Sequence, residues 1–198
     1  KEQISSMPAV EFPGKITVIE TPALAHKAIA FLRDQKTVGF DTETRPSFRK
    51  GHVNDVALIQ ISTDEHCFLF RINRLGITDE LKQFLEDTTI TKIGLSLKDD
   101  FHVLHRTAEF TPGGFIDLQD MVKQYMITDC SLQKIYGIIF NHRISKSQRL
   151  SNWEAQFLTP QQQAYASIDA WACLRIYNYL NSGAFDPLTS PYLTIVDE

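Results

Sequence analysis

Hydrophobic and polar positions alternate with two different periods along this chain, and the switches between them divide it into short elements. Lys15 to Ile19 reads as a first strand, and Thr21-Pro22 then supplies a capping hydroxyl and a proline for a helix carrying Leu24, Ala28, Phe31 and Leu32. Three strands follow at Thr37–Glu43, Val56–Ser62 and His66–Phe70, separated by polar, turn-forming residues. A helix is expected over Asp79–Leu85, a strand over Ile90–Leu97 and a helix from Asp99 to about Arg106. Pro112-Gly113-Gly114 breaks the chain before a short edge strand, Phe115–Leu118, that feeds a helix through Met126. Ser131 opens another helix through Phe140. Thr159-Pro160 opens a long one to about Leu180, stopped by Ser182-Gly183. Lys1 to Gly14 reads as an extended arm outside the core, residues 15–181 as one domain, and residues 182–198 as a surface tail. The pattern predicts an α/β fold with a mixed sheet flanked by helices.

Composition supports a single core: 43% of the 198 residues are hydrophobic and 22% are charged, which excludes disorder and collagen-like repeats. No run approaches the roughly 18–20 apolar residues that span a bilayer, and Lys1 to Ser6 lacks a signal peptide's apolar centre. The expectation is a soluble intracellular protein without membrane contact, cytoplasmic, or nuclear in a eukaryote. Cys67, Cys130 and Cys173 are widely spaced in apolar neighbourhoods and read as reduced core thiols. Net charge is −4, so any polyanion must be held by local basic patches.

The acids are oddly placed. Asp41 and Glu43 lie near the end of an apolar strand, where the two-residue period puts both carboxylates on one face. Such a pair is costly to desolvate without cations, and Mg²⁺ or Mn²⁺ suits oxygen ligands, although solvated acids at a strand end would look the same. Tyr165 and Asp169, four apart on the long helix, share a face lined by small residues. Asp99-Asp100 stands between a strand and a helix, which leaves room for one cap and one ligand.

In order, Phe40-Asp41-Thr42-Glu43-Thr44, Gly94 to Leu104 with Asp100, and Tyr165-Ala166-Ser167-Ile168-Asp169-Ala170 resemble the three motifs of the DEDD 3′–5′ exonucleases. The tyrosine at 165, with Ala164 where a histidine subclass would carry its histidine, resembles the DEDDy subclass. Ser151-Asn152-Trp153 and Leu158 to Ala166 are similar to segments of Werner-type exonuclease domains and of RNase D. The resemblance spans about Lys15 to Asn181 and implies a ribonuclease H-like exonuclease fold. It further implies that Asp41, Glu43 and Asp169 hold one divalent cation, that Asp41 bridges to a second, and that Asp100 supports the second. Tyr165 would orient the attacking water. The implied reaction is two-metal hydrolysis at a 3′-hydroxyl end, releasing nucleoside 5′-monophosphates, with DNA favoured as partner. An RNase D-like exoribonuclease and a catalytically inert nucleic-acid-binding module are the competing readings.

Two basic patches are candidates for the strand backbone. Between Cys130 and Trp153 no acid occurs, whereas Lys134, Arg143, Lys146 and Arg149 do, with His142. The loop Arg45 to His52, directly after Asp41 and Glu43, adds Arg45, Arg49 and the ring of Phe48, which would serve equally as a loop anchor. Blander readings fit the remaining singled-out residues: His102 and His105 on a helix surface, Trp153 as a packing anchor, and Asp117 as the cap of the helix that follows.

Overall fold

Six segments rich in β-branched and aromatic residues become strands in the computed structural model, which describes residues 2–194. They are β1 (Lys15–Ile19), β2 (Thr37–Thr44), β3 (Val56–Ser62), β4 (His66–Arg71), β5 (Thr91–Gly94) and β6 (Phe115–Asp117). The sheet order is β1-β4-β3-β2-β5-β6. The β1/β4, β2/β5 and β5/β6 pairs are parallel and the two pairs made by β3 antiparallel, so β3 alone among these strands runs against the rest. The mixed sheet and its flanking helices agree with the expected fold class.

The helices are α1 (Glu2–Ser5), α2 (Pro22–Leu32), α3 (Ile72–Leu75), α4 (Asp79–Glu86), α5 (Leu97–Leu104), α6 (Leu118–Met121), α7 (Leu132–Phe140) and α8 (Pro160–Asn181). Their starts follow the sequence chemistry. The hydroxyls of Thr21, Thr78 and Ser131 accept from the backbone N–H three residues on, and Thr159 with Gln162 forms a reciprocal capping box. Each such cap stabilises its helix by about 1 kcal/mol.

Alternation along β2 decides what each face carries. Val38 and Phe40 enter a core with Ile29 and Leu32 of α2 and Phe84 and Leu85 of α4, so Gly39, Asp41 and Glu43 point to the opposite face, under α8. There the helix lies directly on the strand: a Cβ on Gly39 would stand 1.9 Å from the carbonyl oxygen of Ala170. Any side chain at 39 would drive α8 off β2. A second core joins α8 to α6, α7 and Ile93 of β5, and a third joins Leu58, Leu69 and Trp153 to Tyr165.

Several expectations need correction. The N-terminal arm is not simply extended: it contains the single turn α1, Ala9 bridges to Arg143, and Phe12 packs edge-on against Trp171 at 6.1 Å. Apolar side chains in this arm find a groove between α7 and α8, which periodicity over fourteen residues does not reveal. Strand β5 ends at Gly94, where its partner β6 ends, and α5 begins at Leu97 rather than Asp99. The helix expected through Met126 is one α turn followed by a 3₁₀ turn, Val122–Tyr125, because apolar spacing does not separate the two windings. The short α3 was not anticipated. Cys67 and Cys173 are buried, whereas Cys130 is exposed in the loop before α7. In the tail, Pro187–Thr189 forms a 3₁₀ turn and the Tyr192 hydroxyl donates to Asn141 Oδ1 at 2.7 Å; residues 195–198 lie outside the described part. No described helix is long and apolar enough to cross a membrane.

Candidate active site

Strand β2 outruns its parallel neighbour: pairing with β5 covers only Thr37 to Gly39, and the last five residues of β2 have no ladder partner on that side. This is a crevice at the carboxyl end of a strand, where open α/β sheets place their sites. A register shift against β3 at Glu43/Thr44 bends the strand at the same point. Into this crevice α8 brings Asp169, and one carboxylate oxygen each of Asp41, Glu43 and Asp169 lies within 4.8 Å of the others. Among the described residues no second group of this kind occurs.

Asp100 reaches the crevice from the first turn of α5. Its Oδ1 accepts from Thr42 Oγ1 at 2.5 Å, its charge is felt by Glu43, and it feels the charge of Asp41. The four acids therefore adjoin, with three tightly clustered and Asp100 beside them. Gln60, fully buried on β3, donates to Glu43 Oε1 at 3.5 Å.

Crowding and burial penalise negative charge here. Burial and then Asp169 hold the Asp41 carboxyl well above the usual range; for Glu43, burial acts first and Asp41, Asp169 and Asp100 follow. Asp100 is pushed up to about 8 by burial and Asp41, and Asp169 to about 7 by burial. Asp169 is 6% exposed, and its Oδ1 is buried without any hydrogen-bond partner. A buried carboxylate oxygen lacking a donor is expensive, and a cation removes the expense. The donor set of hard oxygens fits a divalent ion such as Mg²⁺ or Mn²⁺.

Tyr165 sits one turn before Asp169, 7% exposed, its hydroxyl held protonated by burial and by the charges of Asp169, Glu43 and Asp41. The charge of Arg149 opposes that shift. Behind Tyr165 stands Trp153, fully buried, at 5.9 Å between ring centroids, and this confirms the packing role expected for the tryptophan. Sequence reasoning missed what holds that loop. Arg71, buried at the end of β4, donates to the carbonyls of Ala155 and Gln156 and pairs with Glu20 at 2.9 Å. An arginine closing an apolar strand was the available signal.

The basic residues divide. Lys134 pairs with Asp129 at 3.4 Å, and Arg143 Nε donates to the Met7 carbonyl, so both serve the fold. Lys146 and Arg149 are exposed on the loop before α8, and a cleft of about 220 Å³ between this loop and α8 opens beside Tyr165. Arg45 lies 3.9 Å from Glu154, Arg49 is exposed, and Phe48 is 88% exposed, which rules out the loop-anchor reading. His105 Nε2 donates to the Phe110 carbonyl at 2.9 Å, and His102 is a helix-surface residue.

Residues 16–183 match a family model described as 3′–5′ exonuclease. The chain belongs to the 3′–5′ exonuclease family. It is 31% identical over 187 residues to the bifunctional 3′–5′ exonuclease/ATP-dependent helicase WRN of Mus musculus, covering 89% of this chain and 13% of that protein. It is 32% identical over 191 residues to a 3′–5′ exonuclease of Arabidopsis thaliana, covering 88% and 66%. This chain thus spans a small part of the first relative and just under two thirds of the second. Its fold is that of Escherichia coli RNase D, described as an exoribonuclease involved in structured RNA processing, with a TM-score of 0.74 at 24% identity over 84% of this chain and 44% of that one. Family membership makes it an exonuclease domain of the class that hydrolyses phosphodiester bonds and implies divalent-metal use.

Proposed function

We propose that this domain removes nucleoside 5′-monophosphates from the 3′-hydroxyl end of a nucleic acid with two divalent cations, Mg²⁺ or Mn²⁺, as a DEDDy-type exonuclease, with DNA the favoured substrate. The observation that carries the reading is the three-carboxylate cluster with its unpartnered Asp169 oxygen. Asp41, Glu43 and Asp169 would hold one ion, with Asp41 shared and Asp100 supporting the second. When bound, such ions lower the pKa of water, orient the scissile phosphate and neutralise the charge growing on the leaving 3′-oxygen. The side chains do the rest. The acids give the site its charge and its shape, and Glu43 and Asp169 on opposite elements fix the width of the crevice. Tyr165, kept protonated, is a hydrogen-bond donor and acceptor that orients the attacking water rather than a base. The DNA preference rests on the likeness to Werner-type exonuclease domains, to one of which the chain is 31% identical.

An inert binding module would have no physical use for buried, mutually repelling acids. Purified protein incubated with a 5′-labelled oligonucleotide tests the reading: metal-dependent shortening from the 3′ end supports it, and binding without cleavage in Mg²⁺ and in Mn²⁺ refutes it.

The raised carboxyl pKa values carry a stability consequence. Asp100 and Asp169 bind protons in the folded state up to about 8 and about 7, above their unfolded values near 4. The folded state therefore binds more protons between about pH 4 and 8, and metal-free stability falls as pH rises through that window. Metal binding requires the deprotonated acids, so the rise in Tm on adding Mn²⁺ grows from pH 5 to pH 8. At 100 times the Kd it should reach about 5–10 °C at pH 8, from about 2.7 kcal/mol of linkage. Scanning calorimetry at both pH values checks this, and an equal metal effect at the two would contradict it.

Lys146 and Arg149 would anchor the strand backbone near the tyrosine. Replacing both with Ala should reduce the slope of log binding constant against log salt by about 1.4, two phosphate contacts at about 0.7 each. Fluorescence anisotropy with single-stranded DNA over a salt series measures it, and an unchanged slope removes this patch from the interface.

A further inference from the structure

Asp117 was expected only to cap the helix that follows it, and the structure gives it a second task. It ends β6 opposite Gly94 of β5, and its Oδ1 accepts from Gln119 N–H at 2.9 Å, the start of α6. The same oxygen accepts from Ser96 N–H at 3.1 Å, and Oδ2 accepts from Leu97 N–H at 2.9 Å. One carboxylate thus ties together β6, the turn that leaves β5, and the beginnings of α5 and α6.

The turn needs such a clamp. Ser96 is left-handed, with φ 58° and ψ 41°, a conformation disfavoured for a residue with a Cβ. Although Ser96 occupies the capping position of α5, its hydroxyl makes no cap bond and donates instead to Asp99 Oδ2 at 2.9 Å. Asp117 supplies from another strand what the local residue does not. The direction set at Ser96 decides where the first turn of α5 points, and that turn carries Asp100 to Thr42 and Asp41. Asp117 itself contributes charge at Asp100 and stands outside the three-carboxylate cluster.

We infer that Asp117 is a positioning residue for Asp100: by holding the left-handed turn at Ser96 from the neighbouring strand, it sets the carboxylate that supports the second metal ion. The inference rests on the two-ion reading above. Asp117 touches no substrate and acts through the turn.

The test uses Mn²⁺ binding by titration calorimetry together with the Mn²⁺ dependence of nucleotide release, on wild type, Asp117→Ala, and Asp117→Ala combined with Ser96→Gly. In Asp117→Ala the tighter ion should bind as in wild type, while the Kd of the weaker ion and the half-saturating Mn²⁺ concentration rise roughly 10–100-fold, as for other outer partners of metal ligands. Glycine at 96 adopts positive φ freely, so the double variant should regain most of the weaker ion's affinity. Because Ser96→Gly also relieves strain, Tm is measured for each variant: recovery of the weaker ion's Kd with the tighter ion's Kd unchanged throughout marks turn geometry, whereas Kd values of both ions that follow Tm mark general destabilisation. Wild-type behaviour of Asp117→Ala for both ions overturns the inference, as does a parallel loss of both ions that glycine fails to rescue. Two Mn²⁺ sites in wild type with either of these results would leave the exonuclease reading intact, whereas a wild type that binds no Mn²⁺ would overturn that reading and this inference together.

Discussion

Replacing Asp41 or Asp169 with Ala should lower metal-dependent nucleotide release by about 10³-fold or more while the protein stays folded. The magnitude follows from the several kcal/mol that a bound cation contributes to stabilising charge in phosphoryl transfer, at tenfold in rate per 1.36 kcal/mol. Both residues face the crevice rather than a packed hydrophobic core, and both carry a burial penalty on their charge. Alanine removes that penalty, so each variant should melt at or above the wild-type metal-free Tm at pH 8. Loss of activity with gain of metal-free stability is a paired signature, because a structurally required acid would lose both. Single-turnover kinetics with differential scanning calorimetry would show it. Activity within tenfold of wild type in both variants would contradict the site assignment.

Tyr165→Phe should lower kcat by about 10²-fold, the lower end of what a positioned proton-handling group contributes, with Mn²⁺ affinity unchanged. The hydroxyl is kept protonated by burial and by three carboxylates, which suits it to orient water and not to abstract a proton. Phenylalanine preserves the contact with Trp153, so the indole still backs the ring and the loop clamped by Arg71 stays in place. The pH–rate profile offers the sharper readout. With Tyr165 as orienter, the profile keeps its shape in the variant and only its height falls; a lost alkaline or neutral limb would instead make the tyrosine a titrating base. Trp153→Ala should reproduce part of the kcat loss by freeing the ring.

Much of this molecule is legible in its sequence. Alternation in β2 announced that Asp41 and Glu43 share a face, and i,i+4 spacing paired Tyr165 with Asp169, because both signals are local and periodic. Caps at Thr21, Ser131 and Thr159 marked helix starts through side-chain hydrogen bonds within three residues. What stayed hidden is non-local. Ser96 is left-handed with its N–H bound to a carboxylate twenty-one positions onward, a partner that local spacing does not reveal, and α5 starts at Leu97 rather than Asp99. Arg71 and Lys92 look like ordinary strand cations, yet both are fully buried; their partners are backbone carbonyls of loops and helix ends, apart from Glu20 at Arg71. Beyond the place of Arg71 at the close of an apolar strand, nothing in the local pattern distinguishes such cations from solvated ones. The basic stretch after Cys130 illustrates the same limit: charge was visible, but which charges the fold had already engaged was not.

The most direct test of metal-dependent hydrolysis at a 3′ end uses matched 5′-labelled DNA and RNA oligonucleotides, single-stranded and with recessed 3′ ends. Each is incubated with Mg²⁺, Mn²⁺ or EDTA, with the Asp41→Ala protein as control. The account predicts a ladder shortening from the 3′ end, release of nucleoside 5′-monophosphates, faster on DNA than on RNA, and no cleavage in EDTA or with the variant. Substrate that is retarded on a native gel but uncut under every metal condition would contradict it.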